Sequence, residues 1–368
     1  MRVLHVAMAR NPSSGIVRQM LSEQKAALDM GLPWSVKIFV PDSIAAVDHF
    51  SSAERSLAAS VIESDEKIKN TWIGFRKLFY AWLLDKEQAF DIILLRYSSY
   101  DPIQYFHLTR TKKIVLLVHH TLEVPELSLG SGIVGKFKAN LEKVIGFFAL
   151  RQAKGQIGVT REILDYEQKR CYLSSQAGLI YPNGIQIKKD AIAEDHRGDI
   201  PKLLFIASEF FPWHGLDRLL DSVQKSSDLF HLDLVGRLCE RDRLRAEKDS
   251  RIRVHGYLGI DKIRELIAKA DVGLSSFALD RMKMHEACTL KVREYLSMGL
   301  PVYAEHKDVF PEEFAFFKYG KCDVAAIIKY AMDMRLVSRT SIAEASRPLI
   351  DKRVLLKELY DQLQLVAY

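Results

Sequence analysis

The feature that most constrains the fold is an alternation along the whole chain. Short apolar runs rich in β-branched residues are each followed by a longer helical pattern. "RVLHVAM" (2–8), "WSVKIFV" (34–40), "FDIILLRY" (90–97), "KIVLLVHH" (113–120), "GQIGVT" (155–160) and "AGLIYPNG" (177–184) form one series. "KLLFIAS" (202–208), "FHLDLVG" (230–236), "RIRVHGY" (251–257), "ADVGLSS" (270–276) and "PVYA" (301–304) form a second. Helical stretches such as "LDRLLDSVQKS", "DKIRELIAKA" and "LKVREYLSM" separate the later runs. Alternation of this kind predicts parallel sheets covered by helices on both faces. Two series in tandem predict an α/β chain of two Rossmann-like, doubly wound domains, 1–190 and 191–349. The polar stretch 188–200 marks the boundary, and a last helix, about 350–368, is expected to return to the first domain. A length of 368 residues agrees with two cores better than one.

Composition removes several function classes. A hydrophobic content of 48% with 27% charged residues is globular. No apolar run approaches the roughly 18 residues of a membrane span, and the N-terminus reads as a first strand rather than a signal peptide. Cys171, Cys239, Cys288 and Cys322 are scattered without a C-x-x-C pair. Neither a disulfide framework nor a zinc site is expected, and a reducing cytoplasm fits.

The net charge is +6, and residues 1–185 carry 23 Lys/Arg against 18 Asp/Glu. Two stretches of that half combine basic and aromatic residues, 69–84 and 135–154, with Arg76, Lys77, Lys136 and Lys138 among them. Both fit amphipathic helices on an anionic membrane surface, or equally core helices with snorkelling lysines.

The segment "HEACTLKVREYLSMGLPVYA" (285–304) places Glu286 in a loop and Glu294 inside a short helix that Gly299 and Pro301 stop. Ligands of open parallel sheets collect outside the carboxyl ends of the strands, and this loop follows one. Thr289 is a plausible N-cap, so the amides of the first helical turn form an anion site. Glu294 lies about 7 Å further along the axis. A diphosphate at the helix end would have one carboxylate near each of its substituents, and carboxylates accept hydrogen bonds from sugar hydroxyls. A nucleoside diphosphate sugar has that shape.

"EACTLKVREYLSMGLPVYA" resembles the Glu-x7-Glu segment of retaining glycosyltransferases of the GT-B fold, family 4 (group 1) type. The likeness extends through "MRVLHVAMARNPSSGIVRQM", "YPNGIQI", "LLFIASEFFPWHGLDRLLDSV", "LDLVGR" and "RVHGYLGIDKIRELIAKADVGLSSF" in the family's order. It implies two domains facing a central cleft, the first for the acceptor and the second for the donor. It implies that Glu286 holds hydroxyls of the transferred sugar and Glu294 those of the ribose. The backbone amides of Cys288, Thr289 and Leu290 would lie under the phosphates, and the base near Gly256 and Tyr257.

The sequence departs from the pattern where the family commonly has an Arg and a Lys. Ser208 and His214 stand there, so Lys291, with Arg237 behind it, is the candidate for meeting the diphosphate charge. In the first half, His119 and His120 end a strand where the family has one histidine near the sugar. Strand alternation sends them to opposite faces, so at most one can serve, and the register is left open. Gly15 resembles the loop glycine that admits acceptor or diphosphate, and reads equally as a turn glycine. No Asp-x-Asp pair occurs, so no metal and no cofactor is expected.

The activity implied is metal-independent, retaining transfer of a hexose from a nucleoside diphosphate sugar to a glycan or lipid-linked acceptor, in bacterial surface polysaccharide biosynthesis. The place implied is the cytoplasm, with peripheral attachment to the inner face of the plasma membrane as a further expectation; no nucleic-acid partner is expected. The alternatives are a sugar-nucleotide-binding subunit without catalysis and a nucleotide-sugar epimerase of similar build.

Overall fold

The computed structural model describes every residue except 11–14, 49, 66–70, 131, 174–175, 188–191, 193–194, 196–197 and 367–368. Most of the polar boundary stretch, the loop ahead of Gly15, and Lys69 and Asn70 therefore lie outside the described residues. The chain divides into two compact units, Met1–Gln186 with Lys352–Tyr368, and Ile187–Asp351.

Unit 1 is built on β1 (Val3–Met8), β2 (Trp34–Phe39), β3 (Ile62–Glu63), β4 (Ile92–Arg96), β5 (Ile114–His119), β6 (Gly155–Gly158) and β7 (Ala177–Ile180). They form one parallel sheet in the order β3-β2-β1-β4-β5-β6-β7. Successive side chains feed opposite faces. Val3, Val36, Ile38, Ile92, Leu94, Leu116 and Val118 join one core cluster, to which helix Lys352–Val366 adds Leu355, Leu356, Leu359, Tyr360 and Leu363. Leu4, Val6, Phe39, Ile93, Leu95, Val115 and Leu117 join the other, under helices Trp72–Lys86 and Gly132–Gln152. Burial on both faces is why these strands read as unbroken apolar runs.

Unit 2 holds β8 (Lys202–Glu209), β9 (His231–Arg237), β10 (Ile252–Gly256), β11 (Val272–Leu274), β12 (Val302–Ala304) and β13 (Phe317–Tyr319). The order is β10-β9-β8-β11-β12-β13, again parallel throughout. In each sheet the winding reverses beside its first strand, between β1 and β4 and between β8 and β11. Such a reversal splays the following loops apart and opens a crevice at the strand ends.

Among the described residues no helix is long and apolar enough to cross a membrane. The two basic-aromatic stretches differ. Helix Trp72–Lys86 buries Phe75, Arg76, Phe79, Tyr80 and Leu83, and Arg76 is ion-paired with buried Asp101 at 2.9 Å. That stretch is a core helix, so a membrane contact through Arg76 is set aside. Helix Gly132–Gln152 instead leaves Ile133, Val134, Phe137, Val144 and Phe148 exposed, with Lys136 and Lys143 exposed beside them.

Candidate functional site

In unit 2 the residues singled out from sequence gather at the carboxyl end of the sheet, around its reversal point. The path out of β8 is set by Gly236 at φ +121, where a Cβ would run into the Ala207 carbonyl. The β8/β9 register slips between Ile206 and Glu209, which leaves Ser208 exposed. Arg237, also exposed, is tied in by its carbonyl, which accepts from the Phe210 N–H at 2.9 Å. Beyond it the chain turns through Pro212–His214 to Gly215, whose φ of +69 and closeness to the Phe277 and Ala278 backbone demand glycine.

His214 is fixed by that turn. Its Nδ1 accepts from the Phe211 N–H at 2.9 Å, so the ring proton is on Nε2. Burial, reinforced by the Lys291 charge, pushes its pKa down to about 3. The imidazole is a neutral donor.

On the other side of the reversal, β11 leads through a loop to Glu286, which is half-buried and forms an isolated parallel bridge with Lys307. The Lys307 N–H donates to the His285 carbonyl at 2.8 Å, and the Ala287 N–H donates to the Lys307 carbonyl at 2.9 Å. Glu286 is thus held on short, paired backbone rather than on a free loop. Helix Leu290–Ser297 follows, with Thr289 in the N-cap position at φ −88, ψ 144. The expected capping bond is not made. Among the described residues Thr289 Oγ1 is buried without a hydrogen-bond partner, and so is Lys291 Nζ two residues on. Burial pulls the Lys291 pKa down to about 8, with Glu294 partly opposing it. The ammonium lies 5.3 Å from the Phe205 ring centre. Glu294 is exposed on the same helix, whereas Val292, Tyr295 and Leu296 are buried. Gly256, at φ +64, and exposed Tyr257 stand at the end of edge strand β10, two strands away from β8.

Two anchors under this helix were not anticipated from sequence. Arg293 and Asp308, both with fully buried side chains, form a bidentate pair at 2.5 and 2.6 Å. Arg293 also donates to the Thr289 carbonyl at 3.3 Å and lies over the Phe310 ring at 4.8 Å. Tyr295 Oη accepts from the Ile206 N–H at 3.0 Å, tying the helix to β8. The available signal was an arginine bracketed by the buried stripe Val292, Tyr295 and Leu296.

In unit 1 the two histidines separate as the alternation requires. His119 is fully buried, with Nε2 2.9 Å from Gln156 Oε1, Nδ1 3.4 Å from Glu123 Oε1, and Tyr97 packed on its ring. Burial lowers its pKa, but Glu167 and Glu123 outweigh that and raise it. Both ring nitrogens are occupied, which gives His119 a structural task. His120 faces the other way and is half-buried, with no hydrogen-bond partner at Nε2 among the described residues. Burial, then Arg96, His5, Lys352 and His119, hold its pKa well below the ordinary value. A Cβ at Gly15, the first residue of helix Gly15–Met30, would meet open space, so nothing described in the protein demands glycine there. Among the described residues no group of three or more His, Cys, Asp or Glu is placed to hold a metal ion.

Residues 200–314 match the profile of a family described as glycosyl transferases group 1. No curated protein matches the chain significantly. Among solved structures, the chain is similar over its whole length to the lipopolysaccharide outer core galactosyltransferase WaaB in its apo form. The identity is 13%, 99% of each chain is covered, and the TM-score is 0.67. It is similar to HepE of Anabaena in complex with UDP and glucose at 13% identity, covering 99% of each chain, with a TM-score of 0.64. A glycosyltransferase from Rickettsia africae matches at 13% identity over 99% of this chain and 98% of that one, with a TM-score of 0.68. The fold is GT-B. The segment that carries the family match contains Ser208, His214, Glu286, Lys291 and Glu294.

Proposed function

We propose that the protein is a retaining glycosyltransferase, with unit 2 holding a nucleoside diphosphate sugar and unit 1 a glycan or lipid-linked acceptor. The observation that carries this reading is Lys291. A buried ammonium without a partner is costly and is retained where an anion arrives to meet it. Its surroundings are those of a diphosphate seat: the first turn of a helix, the orphaned Thr289 hydroxyl, and neutral His214 with a proton to donate. Glu286 ahead of that helix and Glu294 exposed on it are, in this reading, the acceptors for sugar and ribose hydroxyls. The matched profile over 200–314 and the resemblance to WaaB and HepE support the same reading. The name of WaaB, a lipopolysaccharide galactosyltransferase, supports surface polysaccharide as the product class of this reading.

In the transfer proposed, the acceptor oxygen bonds to the anomeric carbon as the bond from that carbon to phosphate breaks. The acceptor proton passes to the departing phosphate oxygen on the same face. Lys291, His214 and the helix amides stabilise the charge that develops on the diphosphate, which needs no metal among them. Glu286 orients the sugar.

Glu286→Gln is expected to lower turnover on the order of 10²-fold with little change in donor KM, since sugar orientation matters most in the transition state. Glu294→Gln is expected to raise donor KM roughly 10-fold or more, the loss of a charge-assisted hydrogen bond. Wild-type kinetics in both variants, on a donor the enzyme turns over, would refute the site. Donor consumed equally well without acceptor would indicate an epimerase. Binding without any turnover would indicate a non-catalytic subunit.

The exposed stripe of helix Gly132–Gln152 carries a second expectation. Each Lys near an anionic surface contributes about 1 kcal/mol, so Lys136→Glu with Lys143→Glu should weaken sedimentation with anionic vesicles at least about 10-fold. Wild-type binding should fall with salt. Equal sedimentation with neutral and anionic vesicles would contradict it.

A further inference from the structure

The crevice at the reversal of the unit 1 sheet is a cavity of about 500 Å³. Met8 at the end of β1 and Arg96 at the end of β4 line it, together with Ser98, Tyr100 and Lys138. Its charges are not balanced. Arg96 and Lys138 are both half-buried, and neither has a carboxylate within ion-pair distance among the described residues. Burial pulls the Arg96 pKa down to about 10, with Glu123 and Glu126 only partly opposing it. Glu126 is the one acid lining the cavity among the described residues, and burial and Glu123 raise its pKa, with Thr121 and Arg96 partly opposing them.

The wall is built to stay in place. Arg76 lies 3.7 Å from the Trp72 ring centre, Trp72 stacks on Tyr100 at 5.7 Å and 7°, and Lys138 Nζ is 5.8 Å from the Tyr100 ring. Tyr100 is held at φ +44, a left-handed conformation that a non-glycine residue adopts only under constraint. Its N–H donates to Glu142 Oε2 at 2.5 Å, and Glu142 is itself held by Arg170 and Tyr97. Gly135 lines the cavity where a Cβ would run into the backbone of Leu127 and Gly130. Strain maintained by a buried network next to an open cavity is what a binding site shows.

We propose that this cavity seats a phosphoryl group carried by the acceptor, with Arg96 and Lys138 as its counter-charges and Ser98 as a hydroxyl donor. Two unpaired cations match a dianion; a single carboxylate would leave one of them unmet. Met8, Ile16 and Leu127 provide an apolar side for whatever continues from the phosphate. This rests on the reading of unit 1 as the acceptor unit, and deepens it by naming the chemistry recognised.

Calorimetric titration with inorganic pyrophosphate, farnesyl diphosphate and farnesol tests it on three proteins: wild type, Arg96→Gln with Lys138→Gln, and Lys291→Met. Diphosphate binding to unit 1 should persist in Lys291→Met and fall at least 10-fold in the Arg96/Lys138 variant. That variant should still bind a nucleoside diphosphate as wild type does, which also shows that it is folded. Farnesyl diphosphate binding at least 10-fold tighter than pyrophosphate assigns a lipid-linked acceptor; equal affinities assign a soluble phosphorylated one. Farnesol alone should not bind. The proposal is overturned if no diphosphate binds Lys291→Met, or if the Arg96/Lys138 variant binds as many equivalents of each diphosphate probe as the wild type does. Neither of those results touches nucleotide binding by unit 2.

Discussion

Lys291→Met is expected to weaken nucleoside diphosphate binding roughly 100-fold while making the unliganded protein more stable. The two effects have one cause. The wild-type ammonium is buried without a hydrogen bond, and the fall of its pKa to about 8 is set by that burial, with Glu294 pulling the other way. Against about 10.4 in an unfolded chain, this amounts to roughly 3 kcal/mol that methionine removes. A bound diphosphate would supply the missing partner, and a charged hydrogen bond contributes about 1.5–3 kcal/mol. The pH dependence follows with a definite sign. Between about pH 8 and 10.4 the unfolded state binds more protons than the folded state, so wild-type stability gains from this group as pH rises. Below about pH 8 the cost is fully present. Nucleotide affinity runs the other way, falling above about pH 8 as the ammonium deprotonates. Thermal melts and titrations of wild type and variant across that range check both slopes. A variant that melts several degrees lower while binding nucleotide normally would show that Lys291 is a packing residue.

Arg293→Ala is expected to destabilise unit 2 by about 3–5 kcal/mol, because it leaves Asp308 charged and buried without its partner. For a unit of this size the melting temperature should fall by roughly 10 °C. Asp308→Asn should do much the same. Replacing both, Arg293→Met with Asp308→Leu, should recover most of the loss, since an apolar pair removes both desolvated charges. Donor binding should suffer beyond what stability alone explains. The pair ties the helix that carries Lys291 and Glu294 to the strand of backbone that bridges Glu286 through Lys307. A fall of less than 2 °C for either single replacement would contradict this role.

Strands with both faces covered were legible almost to their ends, because nothing polar interrupts them. β3 and β13 were not, since two or three residues at a sheet edge carry no period. The Glu286–Glu294 spacing was readable because both lie on one short stretch of chain. The burial of Lys291 was not, since it depends on Phe205 in β8 and His214 in the turn that follows it. The pair His119 and His120 shows the limit of periodicity. Alternation separates the two faces, but only the partners Gln156 and Glu123 decide which ring is consumed. The Arg96–Lys138 cavity was invisible for a similar reason. Strand order β1-β4, not sequence proximity, puts it at the reversal of the sheet. Composition left helix Trp72–Lys86 open between a membrane face and a core helix, and only the inward pairing of Arg76 with Asp101 decides for the core.

The central claim is that unit 2 binds a nucleoside diphosphate at the start of helix Leu290–Ser297. Calorimetric titration of the intact protein with UDP and GDP at pH 7, beside Glu294→Gln and Lys291→Met, tests it most directly. The account predicts saturable binding of a single equivalent of at least one of the two, weakened at least about 10-fold in each variant. It is contradicted if neither nucleotide binds, or if both variants bind it as tightly as the wild type.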